Sequence, residues 1–155
     1  MNRIGINQND ANNLIEGLSD LLSNYQVFYT NVRGFHWNIK GEKFFELHVK
    51  FEELYNDLQL KVDEIAERIL TLGGAPQHEF SKYLTQSAVK EATSVSDAHD
   101  TVRSILESIQ VLLEKQRLLL AVSDEAGDEG TNALMSDYIR EQEKLAWMYD
   151  AFMAR

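Results

Sequence analysis

Four side chains in this sequence have the types and spacing to hold a metal ion: His36, His48, Asp63 and Glu67. Imidazole and carboxylate are donors of intermediate to hard character and suit Fe(II), Mn(II) or Zn(II). Asp63 and Glu67 are four residues apart, so on a helix they share a face, one turn apart. His48 and Asp63 are fifteen residues apart, roughly 22 Å along one helix at about 1.5 Å per residue. One chain cannot wrap all four around one ion. Yet fifteen steps of about 100° leave His48 and Asp63 only about 60° apart around the axis. They lie on nearly one face, at opposite ends. A two-fold axis placing two such helices antiparallel would set the histidines of one copy against the carboxylates of the other, and would do so twice. The spacing suggests a site shared at a homodimer interface. The plainer reading is a solvated helix face over Lys61-Val-Asp-Glu-Ile-Ala-Glu-Arg68, with His48 an ordinary surface histidine.

The other arrangement for two irons puts a Glu-x-x-His pair on each of two helices inside one bundle. No Glu-x-x-His occurs anywhere in the chain, which argues against it. There is no cysteine, so thiolate metal sites, disulfides and cysteine nucleophiles are excluded. His78 and His99 fall outside the pattern and read as surface or structural histidines.

Long helices must position these residues. One proline and eight glycines in 155 residues are too few for a many-turned β protein. Four segments carry helical periodicity. In the first, Leu14, Leu18, Leu21, Leu22, Tyr25, Phe28, Tyr29 and Val32 recur at steps of three and four, with an end near Asn38 before Gly41. His36 falls in its last turn, and His48 about two turns into the second segment. There Leu47, Phe51, Leu54, Leu58, Val62, Ile65, Ile69 and Leu72 form a stripe that Gly73, Gly74 and Pro76 stop. An antiparallel hairpin of the two brings both histidines to one end. Residues 73–93 read as a long crossover with a short helix near Glu79 to Leu84. The third helix is expected to open at Ser94, with Asp97 completing a capping box. Residues Ser123 to Gly127 read as its connection to a fourth helix, with Asp128 as N-cap. Two short loops and one long crossover describe an all-α, ferritin-like four-helix bundle whose crossover between helices two and three carries a short extra helix. The whole chain, 1–155, reads as one domain.

The net charge of −10 repels a phosphate backbone and attracts cations, though acidity also simply aids solubility. No secretory signal and no run of 18 apolar residues is visible, so a soluble, cytoplasmic protein with no membrane partner is expected.

The segment Asn31-Val-Arg-Gly-Phe-His-Trp-Asn-Ile-Lys-Gly41, then Phe45-Glu-Leu-His48 and Asp63-Glu-Ile-Ala-Glu67, resembles the Dps family, the DNA-binding proteins from starved cells, or mini-ferritins. The family pattern is a His, eleven residues, a His, fourteen residues, an Asp, three residues and a Glu; this chain matches it without a gap. Leu72-Gly-Gly-Ala-Pro76 and Lys144-Leu-Ala-Trp-Met148 look like the family too. The resemblance implies a hollow shell of twelve subunits with two-iron ferroxidase sites at the two-fold interfaces. It implies Fe(II) and hydrogen peroxide as substrates, storage of ferric mineral, and protection from oxidative damage. His36 and His48 would be ligands from one subunit, and Asp63 and Glu67 from its neighbour. Glu52, one turn after His48, stands where the family has an acidic residue that helps with a second iron; Glu53 would join it in nucleating mineral. The family often keeps a tryptophan at the position of Trp37, where it would intercept a stray oxidising equivalent or simply pack in the interface. Asp124, Asp128 and Glu129 match a stretch that lines iron-entry pores, although Ala133 stands where many relatives are acidic.

Some members bind DNA through a lysine-rich tail. The first ten residues here hold one arginine and no lysine, so direct DNA binding is expected to be weak or absent. The competing expectation is a metal-sequestering or nucleoid-associated shell with weak catalysis.

Overall fold

In the computed structural model, which describes residues 1–154, five helices follow one another: α1 Gln8–Asn38, α2 Phe44–Thr71, α3 Phe80–Gln86, α4 Ala98–Glu125 and α5 Glu129–Met153. Arg155, the last residue of the expected domain, lies outside the described residues. The four long helices form the bundle. α1 packs on α2 and on α4, α4 packs on α5, and α3 lies against α1.

The inward rows are those the periodicity marks. Leu14, Leu18, Leu21, Leu22, Tyr25, Phe28 and Val32 of α1 are buried against Phe51, Leu54, Leu58, Ile65 and Ile69 of α2 and Val102, Ile105, Ile109 and Leu112 of α4. On α5 the periodicity marks Leu134, Tyr138, Leu145, Met148, Tyr149 and Phe152, and all but Met148 pack on the core. Met135, Tyr138 and Tyr149 carry its buried face, and Met148 is exposed.

Local chemistry sets the helix ends. The Asn7 side chain accepts from the backbone N–H of Asn9 at 2.9 Å and so caps α1. At the end of α2, Gly73 adopts φ 94°, and the Gly73 and Gly74 N–H groups bond back to Leu70 and Ile69 at 3.0 and 2.9 Å. This Schellman closure needs a left-handed residue, which glycine supplies without a Cβ clash.

The third long helix does not open at Ser94. Ser94 has φ 55°, outside the helical region. Helix α4 begins at Ala98, where Asp97 itself is the cap, accepting from the N–H groups of His99 and Asp100 at 2.9 and 3.0 Å. The short helix runs to Gln86, and α4 runs on to Glu125, so the last connection is shorter than Ser123 to Gly127.

Extended parts of the crossover are held by α1 side-chain amides. Asn24 accepts from the N–H of Ala88 and Val89, while Asn31 accepts from Ala92 and donates to the Lys90 carbonyl. Each replaces the strand partner that this backbone lacks. At the N-terminus, the Asn2 side chain accepts from Ile4 and Ile6, and Ile6 is buried. Among the described residues, no helix is long and apolar enough to cross a membrane.

Candidate metal centre

The five-residue turn between α1 and α2 brings the last turn of one helix against the first turn of the next. His48 sits one turn into α2 rather than two, because α2 starts at Phe44. The two imidazoles stack, with ring centroids 3.9 Å apart and planes 11° from parallel. Each ring is tied to the other's backbone. His36 Nδ1 lies 2.6 Å from the carbonyl oxygen of His48, and His48 Nδ1 lies 2.7 Å from that of His36. A carbonyl oxygen only accepts, so each Nδ1 carries the proton. Each Nε2 is then left with its lone pair, the form that binds a metal. Phe44 stacks on the far face of His48, with centroids 4.9 Å apart, and the Tyr55 ring meets His36 edge-on at 5.4 Å. Both rings therefore have fixed planes. The Glu52 carboxylate lies 3.8 Å from His36 Nε2, on the metal-binding side of that ring.

Asp63 and Glu67 stand on exposed positions of α2, a turn apart, well along the helix from His48. Among the described residues, no three His, Asp or Glu side chains converge as a metal site within the chain. The structure stacks His36 on His48 and sets Glu52 near His36, and it leaves Asp63 and Glu67 further along the same helix.

The middle of the bundle is filled by other groups. Tyr25, Gln116 and Gln142 close a ring of hydrogen bonds: Gln116 accepts from the Tyr25 hydroxyl, Gln116 donates to Gln142 at 2.8 Å, and Gln142 donates to Tyr25 at 2.6 Å. The Tyr138 hydroxyl donates to Glu64 at 2.9 Å. Burial pushes the phenols of Tyr25 and Tyr138 well above the ordinary tyrosine range; the Glu64 carboxylate adds to the effect on Tyr138. These amides and neutral phenols leave the bundle centre without an imidazole donor.

The remaining expected residues are placed as follows. Trp37 is 63% exposed, under the Arg33 guanidinium at 4.9 Å. Glu53 pairs with Lys50 at 3.0 Å. Asp124 and Glu129 are exposed near the α4–α5 turn. Asp128 is not free to line a pore. It is 1% exposed, caps α5 through Thr131 N–H at 3.0 Å, and pairs with Arg68 at 2.6 Å. Arg68, next to Glu67, thus anchors the start of α5, and Gly130 leaves it room. A Cβ there would meet the guanidinium at 2.7 Å. Sequence reasoning did not find Phe44, Tyr55 or Arg68. Only Phe44, four residues before His48, carried a spacing signal.

Comparison with known proteins agrees with this picture. Residues 15–155 match the model of the ferritin-like domain family. A DNA protection during starvation protein of Porphyromonas gingivalis is 44% identical over 151 residues, covering 97% of this chain and 95% of that one. The crystal structure of the DPS protein from Vibrio cholerae O1, described as a member of a broad superfamily of ferritin-like diiron-carboxylate proteins, superposes with a TM-score of 0.98. It is 53% identical and covers 99% of this chain and 97% of its own. The Dps protein from Bacillus brevis gives a TM-score of 0.91 at 34% identity, with 94% and 98% covered.

Proposed function

The chain belongs to the Dps family of ferritin-like proteins, and from that premise we propose that paired copies form a ferroxidase that oxidises Fe(II) with hydrogen peroxide and stores the ferric product in a shell of twelve. One observation carries this reading. The reciprocal Nδ1–carbonyl bonds of His36 and His48 leave both Nε2 lone pairs available, while the carboxylates Asp63 and Glu67 stand exposed far along α2. A half-site of this kind is completed by a second copy related by a two-fold axis.

In the shared site, His36 and His48 of one copy, helped by Glu52, would bind Fe(II) beside Asp63 and Glu67 of the other. Each Fe(II) gives one electron. The peroxide O–O bond breaks, takes up two protons, and leaves as two waters without a free hydroxyl radical. The carboxylates favour the harder Fe(III) product. Asp124 and Glu129 would attract Fe(II) toward an entry pore, and Glu53 with Glu52 would seed mineral on the inner wall. Trp37, beside His36, would pack in the interface or intercept a stray oxidising equivalent. Direct binding to DNA is expected to be weak, because the net charge of −10 repels a phosphate backbone.

The test is to load the assembly anaerobically with Fe(II), add hydrogen peroxide and follow the ferric absorbance. About two Fe(II) should be oxidised per peroxide, and His36→Ala or Asp63→Asn should slow the reaction more than about tenfold. An unchanged rate in both variants would overturn the proposal.

A further inference from the structure

The bundle is not closed evenly. α1 packs on α2 and α4 packs on α5, but α2 and α5 hardly approach each other. A cleft of about 450 Å³ lies between them, within the range of about 300–1,000 Å³ that takes a small molecule. Its lining is largely apolar: Leu47 and Leu54 of α2, which are buried, and Leu145, Met148 and Phe152 of α5. Met148 is 45% exposed at its flank.

The polar groups of the cleft are of one kind. Glu46, Glu53, Asp57 and Glu141 line it, against Lys50 as the one lysine. Glu53 pairs with Lys50, and Glu46 with Lys43 at 3.8 Å. Asp57 and Glu141 share a single ammonium, that of buried Lys61. Its Nζ is held by both Asp57 oxygens at 2.8 and 2.7 Å and by Glu141 at 2.8 Å. Burial opposes its charge, but the two carboxylates outweigh burial and keep Lys61 protonated. Two carboxylates against one ammonium leave this part of the cleft negative, in a chain whose net charge is −10.

Tyr149 is an independent sign. It lines the cleft and is only 7% exposed. Its hydroxyl has no hydrogen-bond partner among the described residues, yet it is not sealed in: the sealed, unpaired side-chain atoms are Asn2 Nδ2 and Arg33 Nε. The hydroxyl therefore opens on the cleft. Burial, with the Glu53 charge, keeps the phenol protonated above the usual range, so its oxygen is a neutral acceptor.

We propose that the α2–α5 cleft binds a primary ammonium carried on an apolar chain or ring. The apolar body lies between Leu54, Leu145 and Met148, where leaving water is favourable. The ammonium has three N–H donors. One reaches the Tyr149 oxygen, and the others reach the carboxylates that line the cleft. An anionic head would be repelled, and a wholly apolar molecule would leave the Tyr149 hydroxyl unpaired. None of His36, His48, Asp63 and Glu67 lines the cleft, so this site is separate from the shared metal centre.

Phenylbutylammonium and phenylbutanoate are the probes, because they share an apolar body and differ in the sign of the head. Methylammonium supplies a head without a body. Each is titrated calorimetrically into the iron-free assembly at about 0.15 M salt, which screens diffuse surface charge. Phenylbutylammonium is expected to bind once per chain and at least about tenfold more tightly than phenylbutanoate. Methylammonium should show no saturable binding. Tyr149→Phe should weaken the ammonium roughly three- to tenfold. Met148→Arg, at an exposed position that tolerates the change, should weaken the ammonium and strengthen phenylbutanoate. If Tyr149→Phe does not fold, Met148→Arg decides alone. Equal affinity for the two heads overturns the proposal, and so does binding that neither variant alters, which is ion exchange at the surface. Failure of both probes to bind also overturns it; a second copy covering the cleft in the shell would give that result. Iron is absent throughout, so the outcome is independent of the ferroxidase reading.

Discussion

His36 and His48 are ordered by groups of their own chain before any ion arrives. The reciprocal carbonyl bonds fix the tautomers and the stack fixes the planes, so metal binding would require little further ordering. The Arg68–Asp128 pair shows the opposite balance. Asp128 is desolvated, and its carboxylate is satisfied by Arg68 and by the first turn of α5. Arg68→Ala would strand that buried charge. The variant is expected to lose about 3–5 kcal/mol of stability, read as a lower urea midpoint at fixed chain concentration, with the Asp128→Asn, Arg68→Ala double variant recovering part of the loss. Buried phenols add a pH dependence. Burial holds Tyr25, Tyr138 and Tyr149 protonated above the usual range, and its paired carboxylates keep Lys61 charged. The unfolded chain releases these protons near pH 10. Each folded pKa is raised, so the contribution is full below about pH 10 and is lost as the pH rises beyond it. Urea midpoints should therefore fall steeply between about pH 10 and 12, and a flat profile there would contradict the assignment.

At the scale of elements, the hairpin α1–α2 holds the two histidines and the length of α2 sets the distance to Asp63 and Glu67. Helix α2 runs one turn past Glu67 to Thr71, Arg68 in that last turn reaches the start of α5, and the Gly73 closure then stops the helix. Gly73→Ala places a Cβ at φ 94°, which strains the backbone. A loss of about 1–2 kcal/mol is expected, while the same change at half-buried Gly34, a helical position with open space around its Cβ, should be neutral or stabilising. Thermal melts of the two variants side by side check this.

For the whole molecule, the decisive expectation concerns pairing. If each site takes histidines from one copy and carboxylates from the other, a His36→Ala chain and an Asp63→Asn chain can complement each other. A mixed interface has one intact site and one doubly broken site. Random co-assembly of the two inactive variants should then restore about a quarter of the wild-type ferroxidase rate. No restoration in a verified mixed assembly would place the complete site within one chain. Twelve copies of the 17.8 kDa chain should elute at roughly 210 kDa.

The helices, their inward rows and the four ligand candidates were legible in the sequence because they rest on period and spacing, which a linear chain displays directly. The fifteen residues between His48 and Asp63 alone put the four candidates beyond the reach of one ion within one chain, since the helical rise is fixed by the backbone. The family pattern was legible for the same reason. The opening of α4 was misplaced at Ser94 because a capping box and a lone Asp cap share the same residue types; only the fixed path of the crossover distinguished them. Asp128 was legible as the N-cap of α5 and as a pore candidate, but its pairing with Arg68, sixty residues away, was not, because nothing along the chain links the two. The reciprocal bonds between His36 and His48, the Tyr55 contact, and the burial of Lys61 between Asp57 and Glu141 likewise came only from the tertiary structure. They depend on which faces of separate helices meet, and packing, not sequence spacing, decides that.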